Sequence, residues 1–200
     1  MHKAAFLDRD GVINRKAPGD GYVICWEEMD FLSGVAKAIA LLNRADFQVF
    51  VVTNQRCVAK GVVKASELEA IHQRMCRELA ETGAIISAVY YCPHEKQPPC
   101  SCRKPEPGML FAAAREHLID LSASWIIGDS DADIQAGRKA GCKAARISGT
   151  PDSGNAKPDV VASSLLDAVR KILRWEDMIV DRVGTGVCDS MQRSAPADRS

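Results

Sequence analysis

Short apolar runs, each ending on a polar residue, alternate along this chain with stretches in which apolar residues recur every three or four positions. Lys3-Ala-Ala-Phe-Leu7 runs directly into Asp8 and fits a buried strand. Val35, Ile39 and Leu42 share one face of a helix over Gly34 to Ala45. Phe47 to Val52 is a second buried strand, leading into Thr53-Asn54-Gln55. In the next helix Leu68, Ile71, Met75 and Leu79 form the apolar face, with Ser66 and Glu69 as a capping box. His72 lies one step off that face and reads as a surface histidine. A strand over Ile85 to Tyr91, a loop over 92–108 rich in Cys and Pro, and a helix over Pro107 to Leu118 follow. The strand Ser124 to Ile127 ends at Gly128-Asp129. A helix over 131–140, strands near Ala144 to Ile147 and Asp159 to Val161, and a helix from Ser164 to Arg174 complete the pattern.

Strands alternating with helices predict an α/β fold, a parallel sheet covered by helices on both faces. In such sheets ligands bind beyond the carboxyl ends of the strands. Asp8, Thr53 and Asp129 each follow an apolar strand, so they are expected to meet at one crevice. Residues 1–178 read as one domain. After Trp175 small and polar residues scatter among charges, and 179–200 is expected to be a flexible tail.

Length and composition change this picture little: 200 residues suit one domain, and 46% hydrophobic with 26% charged residues is ordinary for a globular chain. Charge is more informative. Equal numbers of basic and acidic residues, 26 each, argue against a nucleic-acid backbone or an anionic membrane as main partner. No apolar run approaches the ~18 residues of a membrane-spanning helix, and Ala4 to Leu7 is too short for a signal-peptide core. A cytoplasmic protein is therefore expected. There, eight cysteines point to metal ligands or catalytic groups before disulfides.

The carboxylates carry the candidate chemistry. Asp8-Arg-Asp10-Gly puts two acids on one side of a chain leaving a strand, with Gly11 allowing a sharp turn away. One can attack an electrophile while the other moves protons, and the pair can hold a hard cation such as Mg²⁺. Alone, the tetrad is more often a plain turn. The other strand ends change that balance. Asp129 can complete a Mg²⁺ site with Asp133 orienting it, although a helix N-terminus also attracts acids for its dipole. Thr53 and Asn54 add phosphate hydrogen-bond donors, and Lys104 adds a cation. Together these groups form a phosphoryl-transfer set: nucleophile, proton handler, metal site and charge clamp.

In the loop, Cys92-Pro-His94 and Cys100-Ser-Cys102 place three thiols and an imidazole within eleven residues. That set suits a closed tetrahedral Zn²⁺ site, with a disulfide or free thiols as competing readings. The other cysteines, 25, 57, 76, 142 and 188, have no mutual spacing; Cys76 and Cys142 read as core or near-core residues. A metal-fixed loop ending at Cys102 would set the position of Lys104.

Asp8-x-Asp10, Thr53, Lys104 and Gly128-Asp129-x3-Asp133, in that order over residues 3 to 174, resemble the four motifs of the haloacid dehalogenase-like (HAD) phosphohydrolases. Cys-Pro-His…Cys-x-Cys-Arg-Lys-Pro resembles their zinc-containing subgroup, which includes phosphatases of heptose bisphosphates and of histidinol phosphate. The resemblance implies a Rossmann-like three-layer sandwich with a mainly parallel sheet, a zinc-binding loop and no separate cap domain. It implies Asp8 as nucleophile, forming an aspartyl-phosphate, and Asp10 as the acid that protonates the leaving oxygen and then activates water. Thr53 and Lys104 would bind the phosphoryl group, Asn54 would lie at the phosphate and Arg103 would contact substrate. Mg²⁺ would be held by Asp8, Asp129 and the Asp10 backbone carbonyl, and Zn²⁺ by Cys92, His94, Cys100 and Cys102. The expected activity is that of a monomeric phosphomonoesterase acting on a small phosphorylated sugar, a heptose bisphosphate first and histidinol phosphate next. A polynucleotide 3′-phosphatase fits the neutral charge poorly, and a zinc-stabilised binding module without catalysis is the reading from a different class. Three departures touch the leaving-group side: Arg56-Cys57 stands where Ser-Gly is usual, Ser130 where lysine is frequent, and the Arg15 to Asp20 segment is longer. Arg56 is either a substitute cation at a distal phosphate or a solvated loop residue.

Overall fold

The computed structural model describes residues 1–19, 21–148 and 156–184, the last six as backbone course only. Six strands form one sheet in the order β3-β2-β1-β4-β5-β6, every pair parallel. They are β1 (Lys3–Leu7), β2 (Phe47–Asn54), β3 (Ala88–Cys92), β4 (Trp125–Gly128), β5 (Lys143–Ile147) and β6 (Val160–Ala162). Among the described residues four helices connect them, α1 (Val35–Arg44), α2 (Ala65–Glu81), α3 (Gly108–His117) and α4 (Asp131–Ala140), and α5 (Leu165–Gly184) follows β6. Both faces are buried because residues of opposite parity feed two cores. Ala5, Leu7, Val49, Val51 and Ile127 pack with α1, α2 and α5. Ala4, Phe6, Phe50, Val52 and Ile126 pack with α3 and α4. This is the expected three-layer Rossmann-like sandwich, with a sheet parallel throughout. Among the described residues, the segment between β1 and α1 contains only a 3-10 turn at Trp26–Glu28, and no cap domain intervenes. No helix among them is long and apolar enough to cross a membrane.

Four local expectations need correction. The third strand starts at Ala88, because Ile85 is tied by both its N–H and its C=O to the Asn43 side chain of α1. The cap of α2 is Lys64, whose N–H donates to Glu67 Oε2 at 2.8 Å; Ser66 lies inside the first turn and Glu69 accepts from Tyr91. His72 is buried, with 4% of its surface exposed. The last helix continues past Arg174 because its next two residues have partners: Trp175 meets the Trp125 ring edge-on at 5.8 Å, and Glu176 accepts from Trp125 and Lys143. That helix also crosses the boundary drawn at 178, while residues 185–200 of the expected tail, Cys188 included, lie outside the described residues.

The site depends on how closely α4 lies on β4. A Cβ on Gly137 would sit 2.2 Å from Ile126 Cγ2 and 3.1 Å from its Cβ, both part of a stiff, fully buried β-branched side chain. Gly137→Ala gains about 1 kcal/mol of helix propensity, but overpacking costs ~1–3 kcal/mol. A net loss of stability is expected, read as a lower midpoint in urea; a raised midpoint would show that α4 can slide.

Candidate active site

Chain order reverses between β1 and β4: β1 continues through α1 to β2 on one side, while β4 continues through α4 to β5 on the other. The crevice opened there, beyond the strand ends, is where an open α/β sheet binds its ligands. A polar cavity of about 180 Å³ occupies it, lined by Asp8, Asp10, Lys16, Thr53, Asn54, Lys104, Asp129, Ser130 and Asp133. The expected carboxylates, threonine and lysine thus come together. Gly11 takes φ +94° to turn the chain away, and a Cβ there would fall 2.0 Å from Asp129 Oδ2.

Lys104 is the buried hub. Its Nζ lies 2.8 Å from Asp8 Oδ1, 2.5 Å from Asp133 Oδ1 and 2.7 Å from the Val52 carbonyl. Burial acts to neutralise this lysine, but Asp133 and Asp8 outweigh it and raise its pKa. Asp133 is fixed in turn by the N–H and hydroxyl of Ser130, which caps α4. Burial pushes Asp8 up to about 7, with Asp133 and Asp129 adding repulsion and Lys104 only partly offsetting it. Burial likewise raises Asp129, despite an ion pair to Lys16 at 2.7 Å.

Asp10 has a different environment. Arg9 Nε and Nη2, Asn14 Nδ2 and Gln55 Nε2 all donate to its carboxylate at 2.8–3.1 Å. Burial pulls its pKa upward, but Arg9, Asn14 and Gln55 together hold it below the usual carboxylate value. Gln55 Nε2 also donates to Thr53 Oγ1 at 2.9 Å, linking the two strand ends.

A divalent cation fits beside Asp8. Carboxylate oxygens of Asp8, Asp129 and Asp133 lie within 4.8 Å of one another, and Asp129 Oδ1 is buried without a hydrogen-bond partner. Clustered hard oxygens with one orphaned and two pKa values raised are what Mg²⁺ relieves. The Asp10 carboxylate is outside this trio.

Cys92, His94, Cys100 and Cys102 form a second cluster. Cys92 Sγ lies 3.6 Å from Cys100 Sγ and 3.3 Å from Cys102 Sγ, and His94 Nδ1 lies 3.2 Å from Cys102 Sγ. The sulfurs are too far apart for disulfides. A tetrahedral ion with ~2.3 Å bonds to sulfur requires edges of roughly 3.5–3.8 Å, close to those seen. The cluster is joined to the cavity: Cys92 pairs in register with Asn54, and Asn54 exchanges two hydrogen bonds with the Lys104 backbone at 3.0 and 3.1 Å.

Other side chains near the cavity have partners of their own. Arg103 is not among the cavity-lining residues; its Nη1 donates to the His94 carbonyl at 3.2 Å. The Asn54 amide is committed to the Lys104 backbone. Arg56 is half-buried and donates to Tyr22 Oη at 2.6 Å, so it is neither free in solvent nor in the cavity. Cys142 and Cys76 pack in or against the cores, as expected. Three participants escaped sequence reasoning: the fully buried Arg9, the linking Gln55, and Lys16, which also lines an adjoining cavity of about 420 Å³ with Tyr22, Val23 and Glu28. Lys16 had one available signal, a cation in the unusually long segment after Asp10.

Comparison with known proteins bears on the family and the fold. An HAD-hydrolase-like family model matches residues 101–168. The D-glycero-beta-D-manno-heptose-1,7-bisphosphate 7-phosphatase of Bordetella bronchiseptica is 42% identical over 140 residues, 70% of this chain and 77% of that one. The D-glycero-alpha-D-manno-heptose-1,7-bisphosphate 7-phosphatase of Mycobacterium bovis is 36% identical over 155 residues, 74% of this chain and 81% of that one. The crystal structure of the B. bronchiseptica D,D-heptose 1,7-bisphosphate phosphatase, complexed with magnesium and phosphate, superposes with a TM-score of 0.76 at 35% identity, covering 86% of this chain and 99% of that chain.

Proposed function

This chain belongs to the HAD-like phosphatases, and on that premise we propose that it removes the 7-phosphate of D-glycero-D-manno-heptose 1,7-bisphosphate through an aspartyl-phosphate. The observation that carries the reading is the Asp8–Lys104–Asp133 cluster in a cavity at the sheet's switch point. Asp8 attacks phosphorus with its free carboxylate oxygen as the bond to the sugar oxygen breaks. Asp10 gives its proton to that leaving oxygen; the negative charge of an incoming phosphate opposes Arg9 and lifts Asp10 towards protonation. Asp10, once deprotonated, takes a proton from water as the water attacks phosphorus and the Asp8–phosphate bond breaks. Lys104 and the Thr53 hydroxyl hold the phosphoryl oxygens. Mg²⁺ held by Asp8, Asp129 and the Asp10 carbonyl would supply further charge neutralisation there. Zn²⁺ on the Cys3His cluster would hold the loop that carries Lys104. The adjoining 420 Å³ cavity has room for the rest of the sugar. A monomer working in the cytoplasm belongs to the same proposal.

The test is a ranking of kcat/KM over phosphate monoesters with Mg²⁺ present, including both anomers of heptose 1,7-bisphosphate and histidinol phosphate. A heptose bisphosphate is expected to lead by at least ~10-fold, the margin that about 1.4 kcal/mol of differential transition-state binding gives. Histidinol phosphate in first place would transfer the assignment to an amino-alcohol phosphatase.

A further inference from the structure

Beneath the cavity runs a buried chain of hydrogen bonds that the steps above leave unexplained. Arg9 stands between Asp8 and Asp10 in sequence, yet its side chain is completely buried. Its Nε and Nη2 fork onto the Asp10 carboxylate at 3.0–3.1 Å, and its Nη1 meets His72 Nε2 on α2 at 3.0 Å. A guanidinium has donors only and keeps its charge, so Nε2 is the acceptor and the ring proton sits on Nδ1. Burial and then the Arg9 charge push the His72 pKa down to about 3, keeping the ring neutral. The ring is also held laterally. It packs edge-on against Tyr91 at 5.7 Å, and Tyr91 Oη donates to Glu69 at 2.7 Å, one turn earlier on α2.

The geometry points to His72 as a positioning residue: it fixes the Arg9 fork and thereby the place of the proton-transferring Asp10 carboxylate. Asn14 and Gln55, the other donors to Asp10, lie on the loops beyond β1 and β2. Arg9 alone extends the carboxylate's support to a helix remote from the cavity. Without an acceptor opposite Nη1, a fully buried N–H is stranded. Arg9 must then turn towards another acceptor and take its fork off line, and proton transfer is sensitive to such displacement.

The inference rests on Asp10 being the acid and base, and the test separates the two ideas. Gln places an amide oxygen near the position of the histidine Nε2, whereas Asn reaches only as far as Nδ1. His72→Asn and His72→Gln are compared by the single-turnover rate of phosphoenzyme formation, the step that precedes the water attack in which Asp10 also acts. The substrates are an alkyl phosphate, whose poor leaving group needs a proton, and p-nitrophenyl phosphate, whose good one does not. His72→Asn is expected to lower this rate on the alkyl phosphate ~10-fold or more. The half-saturating concentration should stay within about twofold and the rate on p-nitrophenyl phosphate within about threefold, because binding and nucleophilic attack are untouched. His72→Gln should recover most of the loss. Equal losses on both substrates, or a Gln variant no better than Asn, overturn the inference. Asp10→Asn is the reference. If it discriminates between the leaving groups while His72→Asn does not, the inference alone falls; if Asp10→Asn does not discriminate, the acid role of Asp10 falls and takes the inference with it. His72→Phe, which preserves the packing against Tyr91, replaces the Asn variant if that one fails to fold.

Discussion

Asp8→Asn is expected to reduce turnover by at least ~10⁴-fold on every phosphate monoester, because it removes the group proposed to form the covalent intermediate. Single-turnover quenching with a labelled substrate should show no phosphoenzyme. The same substitution should not destabilise the protein. Asp8 is buried among Asp129 and Asp133 with Lys104 as its buried cation, and its pKa rises from 3.8 to about 7. A carboxyl whose folded pKa lies above its unfolded value contributes stability below the unfolded value and loses it as pH climbs through the folded one. Without added Mg²⁺ the wild-type protein should therefore lose this contribution between about pH 4 and pH 7, and Asp8→Asn should lack that part of the slope. At pH 8 the variant should melt at or above the wild-type temperature. A clearly lower melting temperature would mean that the ion pair to Lys104 outweighs burial and repulsion.

Loss of the ion from the Cys3His cluster should be the second largest effect. Stripping it with a chelator while Mg²⁺ is kept saturating, or replacing Cys102 with Ser, is expected to lower the melting temperature by ~10 °C. Activity should fall ~10–100-fold, as for other supports of a site. The effect would pass through the backbone and its hydrogen bonds. Cys102 is two residues from Lys104, Gln55 N–H donates to the Cys92 carbonyl at 2.7 Å, and the Asn54 amide clamps both sides of the Lys104 peptide. Loosening the cluster would free a loop whose two ends touch Lys104 and the loop after Thr53. Purified protein should carry about one zinc per chain, and unchanged melting and activity after its removal would separate the cluster from the site.

Legibility in the sequence followed the range of the forces involved. Strands buried on both faces announce themselves as continuous apolar runs, so β1, β2 and β4 and the acids beyond them could be placed before any coordinates. The Cys3His cluster was visible because its four members are close neighbours in the chain. Arg9 and His72 were not, since the periodicity of α2 assigns position 72 to the rim of the apolar face, and only the approach of α2 to the loop after β1 gives the imidazole a buried cation to accept from. The capping box failed for a local reason: the helix begins at Ala65, so Lys64 holds the cap position and Glu67, not Glu69, reaches back to the cap N–H. Arg103 and Arg56 show what charge alone leaves open. A cation near a phosphate motif invites a substrate role, but only the fold shows that one donor of each is already used, by the His94 carbonyl and the Tyr22 hydroxyl.

The strand order has a consequence for how the chain is made. β1 lies in the middle of the sheet, but its two neighbours arrive far apart: β2 at Phe47–Asn54 and β4 only at Trp125–Gly128. During synthesis β1 and β2 can pair early, leaving the second edge of an apolar central strand unprotected for most of the time the polypeptide is emerging. An open edge of that kind recruits other strands. The nascent protein is therefore most vulnerable to aggregation just before β4 closes the gap, and the same event brings Asp129 to Asp8. Protection from misassembly and the birth of the catalytic centre are one step.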